Sequence, residues 1–344
     1  MNGRHNRISL DGMAPCLRCA RWLHPTPKPL YLLAAAAFAT TLLLLQVKPV
    51  TAAIFTANFT AATNDRFADD PSFVTSAFDL SGVGRALTGT ADGGGHWGTL
   101  VDKNIFVSAE HYHAPNGTQL YFYPDNDPTS TPVVRTVLGG QNVGGSDLWI
   151  GHLDFALPPS IATYGWSQTA ITPSNFTTTL ENRFAYLSGI SPTTSEYGTN
   201  KLTNHAVGEN RIEDFEPNLD PLPAGGIVGD TLWSVENLPS DGGYTVETFE
   251  ARIDTGDSGS PLFIVDGPNL ELSGTAWLLG AVDLDPGPAE DLRDASVYTY
   301  TGNYAADIQQ YIDDNLTMVI PEPSTVALLL SAALLVLVRR RWIE

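Results

Sequence analysis

From Leu80 onward the chain is cut into short apolar runs by turn residues, and that pattern restricts it to all-β architectures. His96–Val101, Ile105–Ala109, Gln119–Tyr123, Val133–Leu138 and Asp147–Leu153 are too short for ordinary helices. Gly-Gly-Gly at 93–95, Pro-Asn-Gly at 115–117, Pro-Asp-Asn-Asp-Pro at 124–128 and glycine pairs at 139–140 and 144–145 separate them. A second set follows: Arg183–Leu187, Thr231–Val235, Thr245–Ala251, Pro261–Val265, Trp277–Val282 and Val297–Thr301. The 31 glycines and 24 prolines among 344 residues are about 16 %, against a usual share of about 12 %. The polar stretch 189–229 reads as long surface loops. Asn303–Leu316 differs, because Tyr304, Ile308, Tyr311 and Ile312 fall on one helical face. The body is therefore expected to hold two β units, about 79–165 and 180–301. A closing helix at 303–316 follows them, and an irregular lead-in at 54–78 precedes them.

Both ends carry export signals. Residues 1–28 hold Arg4, Arg7, Arg18, Arg21 and Lys28 against Asp11; an apolar run, Pro29 to Val47, and small residues before Ile54 follow. A basic region, an apolar core and a small-residue site define a secretory signal peptide, here residues 1–53, for a signal peptidase. Its length also suits an uncleaved anchor. Cys16 and Cys19, the only cysteines, leave with it, so the mature chain folds without disulfides. At the other end Pro321-Glu322-Pro323 precedes an apolar run from Thr325 to Val338 and Arg339-Arg340-Arg341. That run is shorter than the roughly 20 residues a comfortable span needs, and the arginines favour the cytoplasmic side. Residues 319–344 resemble the PEP-CTERM sorting tail of Gram-negative bacteria. The resemblance implies processing by an exosortase-type enzyme, transient inner-membrane anchoring, and a final place at the cell surface, in the extracellular matrix or in the medium. Membrane contact is expected through the terminal segments only.

Without the two ends the body carries 9 basic and 35 acidic residues, a net charge of −26. Such a surface repels polyanions, so nucleic acid is excluded as a partner.

The chemistry concentrates in three places. Thr255-Gly256-Asp257-Ser258-Gly259-Ser260-Pro261 lies between a strand expected at 245–251 and an apolar one at 262–265. Glycines at 256 and 259 permit a tight turn. The turn presents the Ser258 hydroxyl beside the amides of Gly256 and Ser258, an oxyanion hole for acyl transfer. A serine nucleophile needs a base, and His111 stands just past the end of the Ile105–Ala109 strand, with His113 as a competitor. The base needs an orienting carboxylate, and Asp147 opens the apolar strand Leu148–Leu153, with Asp154 as its rival. His96, His152 and His205 lack comparable context.

With those residues in place, the chain resembles the chymotrypsin/trypsin-like serine proteases over roughly 79–316. Gly98-Thr99-Leu100-Val101 with Ile105–His111, Asp147-Leu148, Gly256–Pro261 and Leu279-Gly280-Ala281-Val282 match that family's motifs. The order His, Asp, Ser is the family's own. The resemblance implies two six-stranded antiparallel β-barrels with the site in the cleft and a C-terminal helix packed behind. Together with a signal helix and a C-terminal hydrophobic helix, these make up the expected fold. It also implies an exported serine endopeptidase acting on protein or peptide substrates. In it His111 is the base, Asp147 the orienter, Ser258 the nucleophile, and Gly256 with Ser258 the oxyanion hole. The competing reading is a catalytically silent surface or matrix binding protein on the same fold; an esterase is a third.

Several residues depart from the family. Glu110 replaces an alanine before the histidine, Tyr112 a cysteine after it, and Ser260 a glycine. The strand expected to align substrate backbone reads Val282-Asp283, which places Asp283 in the substrate site. Counting six back from Ser258 gives Arg252 at the pocket floor. There it repels Lys and Arg and offers a paired hydrogen bond to a substrate carboxylate, unless Glu250 or Asp254 neutralises it. The family buries a freed N-terminus against the acid before the serine, here Asp257. Ile54, some 25 residues upstream of the opening strand, looks too distant for that. Asp125-Asn126-Asp127 and the acidic run 283–294 match no full metal loop and read as solvated loops. No cofactor is expected; Ca²⁺ is the ion such oxygen-rich loops would take.

Overall fold

The structure, a computed structural model, describes residues 53–87, 95–193, 201–221, 227–237, 245–283 and 292–315. The leader with Cys16 and Cys19 and the tail with Pro321, Glu322 and Pro323 lie outside the described residues. No described helix is long and apolar enough to cross a membrane.

Among the described residues sixteen strands carry the body: β1 (Phe55–Thr56), β2 (Val83–Arg85), β3 (Trp97–Asp102), β4 (Ile105–Ala109), β5 (Gln119–Phe122), β6 (Val133–Val143), β7 (Leu148–Leu153), β8 (Gly165–Trp166), β9 (Phe184–Gly189), β10 (Ala206–Arg211), β11 (Asp214–Leu219), β12 (Gly229–Val235), β13 (Ala251–Arg252), β14 (Pro261–Asp266), β15 (Asn269–Asp283) and β16 (Leu292–Tyr300). β2-β3-β4-β7-β6-β5 form a closed barrel, sealed by Arg85 opposite Tyr121.

The barrel strands read as continuous apolar runs because both of their faces are buried. Along β4, Phe106 points inward with Leu100, Leu120, Phe122 and Trp149. Ile105 and Val107 point outward into a second cluster with Ile150, Phe263, Leu272 and Ile308. This is the period-2 alternation of a strand, applied between two cores. Each buried large side chain contributes about 1.5–3 kcal/mol. Inside the barrel Trp149 requires glycine at 140 and 151, where a Cβ would lie 2.0 Å from its ring.

The second β unit is a large sheet in the order β10-β9-β14-β15-β16-β12-β11, with β8 parallel to β15. Among the described residues no strand ladder closes it. Instead Asn210 Nδ2 bonds Val235 O at 3.0 Å and Ala251 O at 2.8 Å, tying β10 to β12 and β13. The expectation for 189–229 needs correction, because β10 and β11 lie there. Their Gly, Glu, Asn, Asp and Pro residues are poor strand formers, and pairing with β9 and β12 overrides that preference. Conversely, Thr245–Glu250 forms no strand. Glu250 accepts from the amides of Glu247 and Asn237, which folds the segment into a turn before β13.

The closing helix spans Ala305–Asn315, after a 3₁₀ turn at Gly302–Tyr304, and buries Ile308, Tyr311 and Ile312. Residues 54–78, expected as an irregular lead-in, contain short elements built into the body. β1 pairs with β13, Thr60 caps the short helix Ala61–Asn64, and Ile54, Phe67 and Phe73 are buried. Arg66 is 1 % exposed. It donates to Tyr123 O, Asp125 O and Asn126 Oδ1 at 2.9–3.1 Å, and burial pulls its pKa down only to about 10. The loop read as a potential Ca²⁺ ligand set therefore spends these oxygens on a guanidinium. The carboxylates of Asp125 and Asp127 accept from Asp127 N, Ser130, and Thr129 within the loop. Arg66→Ala leaves three acceptors without their donor and is expected to cost about 3 kcal/mol. Urea denaturation checks this, and a change below about 0.5 kcal/mol refutes it.

Candidate active site

β4 ends at Ala109 and a single 3₁₀ turn, Glu110–Tyr112, lifts His111 off the barrel. Antiparallel pairing of β4 with β7 sets Ala109 opposite Leu148 and so brings Asp147 beneath that turn. Glu110 N donates to Asp147 O at 3.1 Å and His111 N to Asp147 Oδ1 at 2.9 Å. The His111 ring Nδ1 lies 2.9 and 2.8 Å from the two Asp147 oxygens, and its Nε2 lies 2.9 Å from Ser258 Oγ. Three residues far apart in sequence thus form one continuous hydrogen-bonded chain, as expected from their types. Asp147 is fully buried while the His111 side chain is 35 % exposed. Burial raises the Asp147 pKa, opposed by the hydrogen bond and charge of His111, and the nearby Glu110 charge adds to the rise. A buried carboxylate receiving Nδ1 orients the imidazole with Nε2 toward the serine.

The turn carrying Ser258 depends on two left-handed glycines, Gly256 (φ 95°) and Gly259 (φ 83°). Gly259 also lies against Ser108, where a Cβ would come within 2.6 Å of the hydroxyl. Gly259 N donates to Ala276 O and Ala276 N to Ser260 O, both at 2.8 Å, which pins the turn to β15. Among the described residues the Gly256 and Ser258 amides have no internal acceptor. They are free to take an oxyanion.

Asp257 is wholly buried. Its Oδ1 accepts from Ile190 N at 2.6 Å and its Oδ2 from Asp254 N at 2.9 Å. Burial pushes its pKa up to about 7, against the nearby positive charge of Arg85. Ile54 N donates to Ile190 O at 2.9 Å, so Ile54 and Asp257 share one partner residue. A Cβ on Gly189 would lie 2.7 Å from both the Asp257 carboxylate and Ile54 Cβ. The distance expected between Ile54 and this acid is therefore bridged: residues 55–78 run along the body as β1 and short helical turns and do not hang off the barrel.

Two substrate-site expectations change. Ala276 bonds the nucleophile turn, so the strand beside Ser258 is Ala276–Leu279. Asp283 lies seven residues further along β15, about 23 Å at strand rise, paired with Leu292. The sequence match set Leu279-Gly280-Ala281-Val282 on that strand, and the bonds of Ala276 to Gly259 and Ser260 place the flanking stretch a few residues earlier. Arg252 is neutralised, but by Glu236 (2.9 Å) and Asp294 (3.5 Å) and not by Glu250 or Asp254. Its guanidinium is committed to these pairs, which removes the basis for a preference for substrate carboxylates.

The rival residues have other roles. His113 stacks on Trp149 at 4.3 Å and donates to Glu110 O. His152 bonds the Tyr311 hydroxyl, His96 packs on Tyr112 and His205 on Trp97. Asp154 accepts from Thr136 N and Phe155 N at the far end of β7. Among the described residues no three His, Cys, Asp or Glu side chains converge as a metal site. No family model matches the chain, and no curated protein matches it.

Proposed function

We propose that this protein is an exported serine endopeptidase of the chymotrypsin/trypsin-like kind, and that its second sheet is that family's second barrel. The observation that carries the reading is the unbroken run Asp147–His111–Ser258, with contacts of 2.8–2.9 Å, beside two amides free to donate to a developing negative charge. His111 Nε2 takes the proton as Ser258 Oγ bonds to the substrate carbonyl carbon. The carbonyl oxygen becomes an oxyanion held by the Gly256 and Ser258 N–H groups. His111 then gives its proton to the leaving amine, the C–N bond breaks, and an ester on Ser258 remains. Water repeats the sequence, with His111 taking its proton, and releases the acid. Asp147 keeps its proton-free form and stabilises the transient imidazolium. No cofactor enters these steps. Signal-peptidase cleavage before Ile54 and tail processing near Pro321–Pro323 would place the enzyme outside the inner membrane.

A fluorophosphonate probe on the processed, secreted protein tests the reading. Covalent labelling and casein cleavage are expected. A folded protein that is never labelled is a binding module, and labelling with turnover of nitrophenyl esters but not casein makes it an esterase.

A further inference from the structure

A cavity of about 500 Å³, a volume usual for small-molecule sites, separates the closing helix from the hairpin of β6 and β7. None of its lining residues belongs to the Asp147–His111–Ser258 run. Two carboxylates of the one helix, Asp307 and Asp314, line it. They stand two helical turns apart, about 10 Å along the axis. Asp307 lies at the hairpin tip, where a Cβ on Gly144 would come within 3.3 Å of its Oδ2. The wall also holds Tyr311 and Val143, which are 7 % and 2 % exposed. The Tyr311 hydroxyl is tied to His152 Nδ1 at 2.8 Å. The cavity thus offers two separated carboxylates and an apolar stretch of wall.

Its charge is uncompensated. No lysine or arginine lines the cavity. Burial lowers the His152 pKa, so that imidazole adds no charge at neutral pH. Among the described residues the Asp307 carboxylate has no hydrogen-bond or ion-pair partner. Asp314 accepts from Gln310 Nε2 alone, at 2.9 Å. The helix adds to the imbalance: Asp313 and Asp314 stand in its last turn, which holds no basic residue. That is the end where the peptide dipoles already concentrate negative charge, and where cations are favoured.

From this arrangement we infer that the cavity binds a linear aliphatic diammonium of the polyamine class, with one cationic end at Asp307, the other at Asp314, and its methylenes along Tyr311 and Val143. The inference stands apart from the protease reading. A single metal ion does not suit the pair, because ligand oxygens within about 2.6 Å of one ion cannot come from carboxylates two turns apart. The hairpin that lines the cavity is the one that leads to the acid of the catalytic run. Asn142 Nδ2 donates to Ser146 O and Asn142 Oδ1 accepts from Gly145 N, and Asp147 is the next residue. A ligand held between helix and hairpin braces that turn.

Titration calorimetry of the processed, secreted protein with spermidine in low-salt buffer is the test. One site per chain is expected, at least about tenfold tighter than for heptylamine, which carries a single charge, or for Ca²⁺. Asp307→Asn and Asp314→Asn should each weaken spermidine at least about fivefold. Asp313→Asn is the matched control: it stands in the same turn and accepts from Gln309 as Asp314 does from Gln310, but it does not line the cavity. It should change the affinity less than about twofold. All three carboxylates are exposed, so the variants keep the fold, and melting curves taken beside each titration confirm it. Equal weakening in all three variants, or several equivalent sites, assigns the binding to the general acidity of the body and overturns the inference. Heptylamine or Ca²⁺ bound as tightly as spermidine overturns it too, as does no binding at millimolar spermidine. A Lys-Gly-Lys peptide that binds at least about tenfold tighter than spermidine through the same two carboxylates overturns the ligand class and makes the cavity a protein-docking site.

Discussion

Ser258→Ala is expected to lower kcat/KM on peptide substrates by at least about 10⁴-fold and to abolish fluorophosphonate labelling. His111→Ala should lose a similar amount, and the double variant little more, because the two act as a unit. The geometry states why. Ser258 Oγ has its hydrogen bond to His111 Nε2, and the imidazole is held in that orientation by a carboxylate with no exposure to water. Removing the hydroxyl removes the nucleophile, while the turn persists through Gly259 and Ser260 bonding to Ala276. The stability of Ser258→Ala should therefore stay within about 0.5 kcal/mol of the parent, so lost activity is not lost fold. Residual turnover within tenfold of the parent, measured beside its melting curve, removes the triad mechanism.

The second large effect is expected at Asp257. Its carboxylate takes two buried amides, Ile190 N and Asp254 N, and its own backbone lies between the two oxyanion amides. Asp257→Ala orphans both donors, at about 2–4 kcal/mol, and releases the backbone that aims Gly256 and Ser258. Activity should fall at least about 100-fold. The pH dependence has a definite sign. The folded carboxyl titrates near 7 against an ordinary 3.8. Its contribution to stability is complete below the lower value and is lost as pH rises toward the upper one. Cleavage before Ile54 converts the amide now bonded to Ile190 O into an ammonium beside this acid, which favours the ionised form. A chain retaining residues N-terminal to Ile54 should therefore be at least about tenfold less active at pH 8 than one beginning at Ile54. In Asp257→Asn that gap should close. Equal activity of the two chains at pH 8 would assign the charge compensation to Arg85 alone.

Much of the candidate site was legible because each part depends on local chemistry. Gly256 and Gly259 announce a turn that only residues without a Cβ can make, and the turn advertises the hydroxyl between them. Apolar runs that end at Ala109 and begin at Leu148 mark His111 and Asp147 as residues on strand ends, where side chains leave the core. The same reading failed where side chains do work normally done by strand propensity. Ala206–Arg211 looks like a loop because Gly208, Glu209 and Asn210 are poor in strands. It is a strand because all six residues pair with β9, while the Asn210 side chain spends its donors on two further backbones. Thr245–Glu250 alternates like a strand, yet the buried Glu250 carboxylate collects the amides of Glu247 and Asn237 and bends it.

Sequence alone determined that this chain is a β-rich, acidic body with a serine turn, a histidine and an aspartate at strand ends, and a helix near its close. Periodicity, glycine placement and charge are properties of neighbours along the chain, and they can be read there. Tertiary structure alone decided which cation fills the Asp125–Asp127 loop, what neutralises Arg252, which stretch of β15 flanks Ser258, and that Ile54 and Asp257 both bond Ile190. Each of these is a pairing between segments tens to hundreds of residues apart, set by strand register and by the competition of buried polar groups for partners. A one-residue difference in register turns every side chain of a strand to its other face, and no local pattern records that choice.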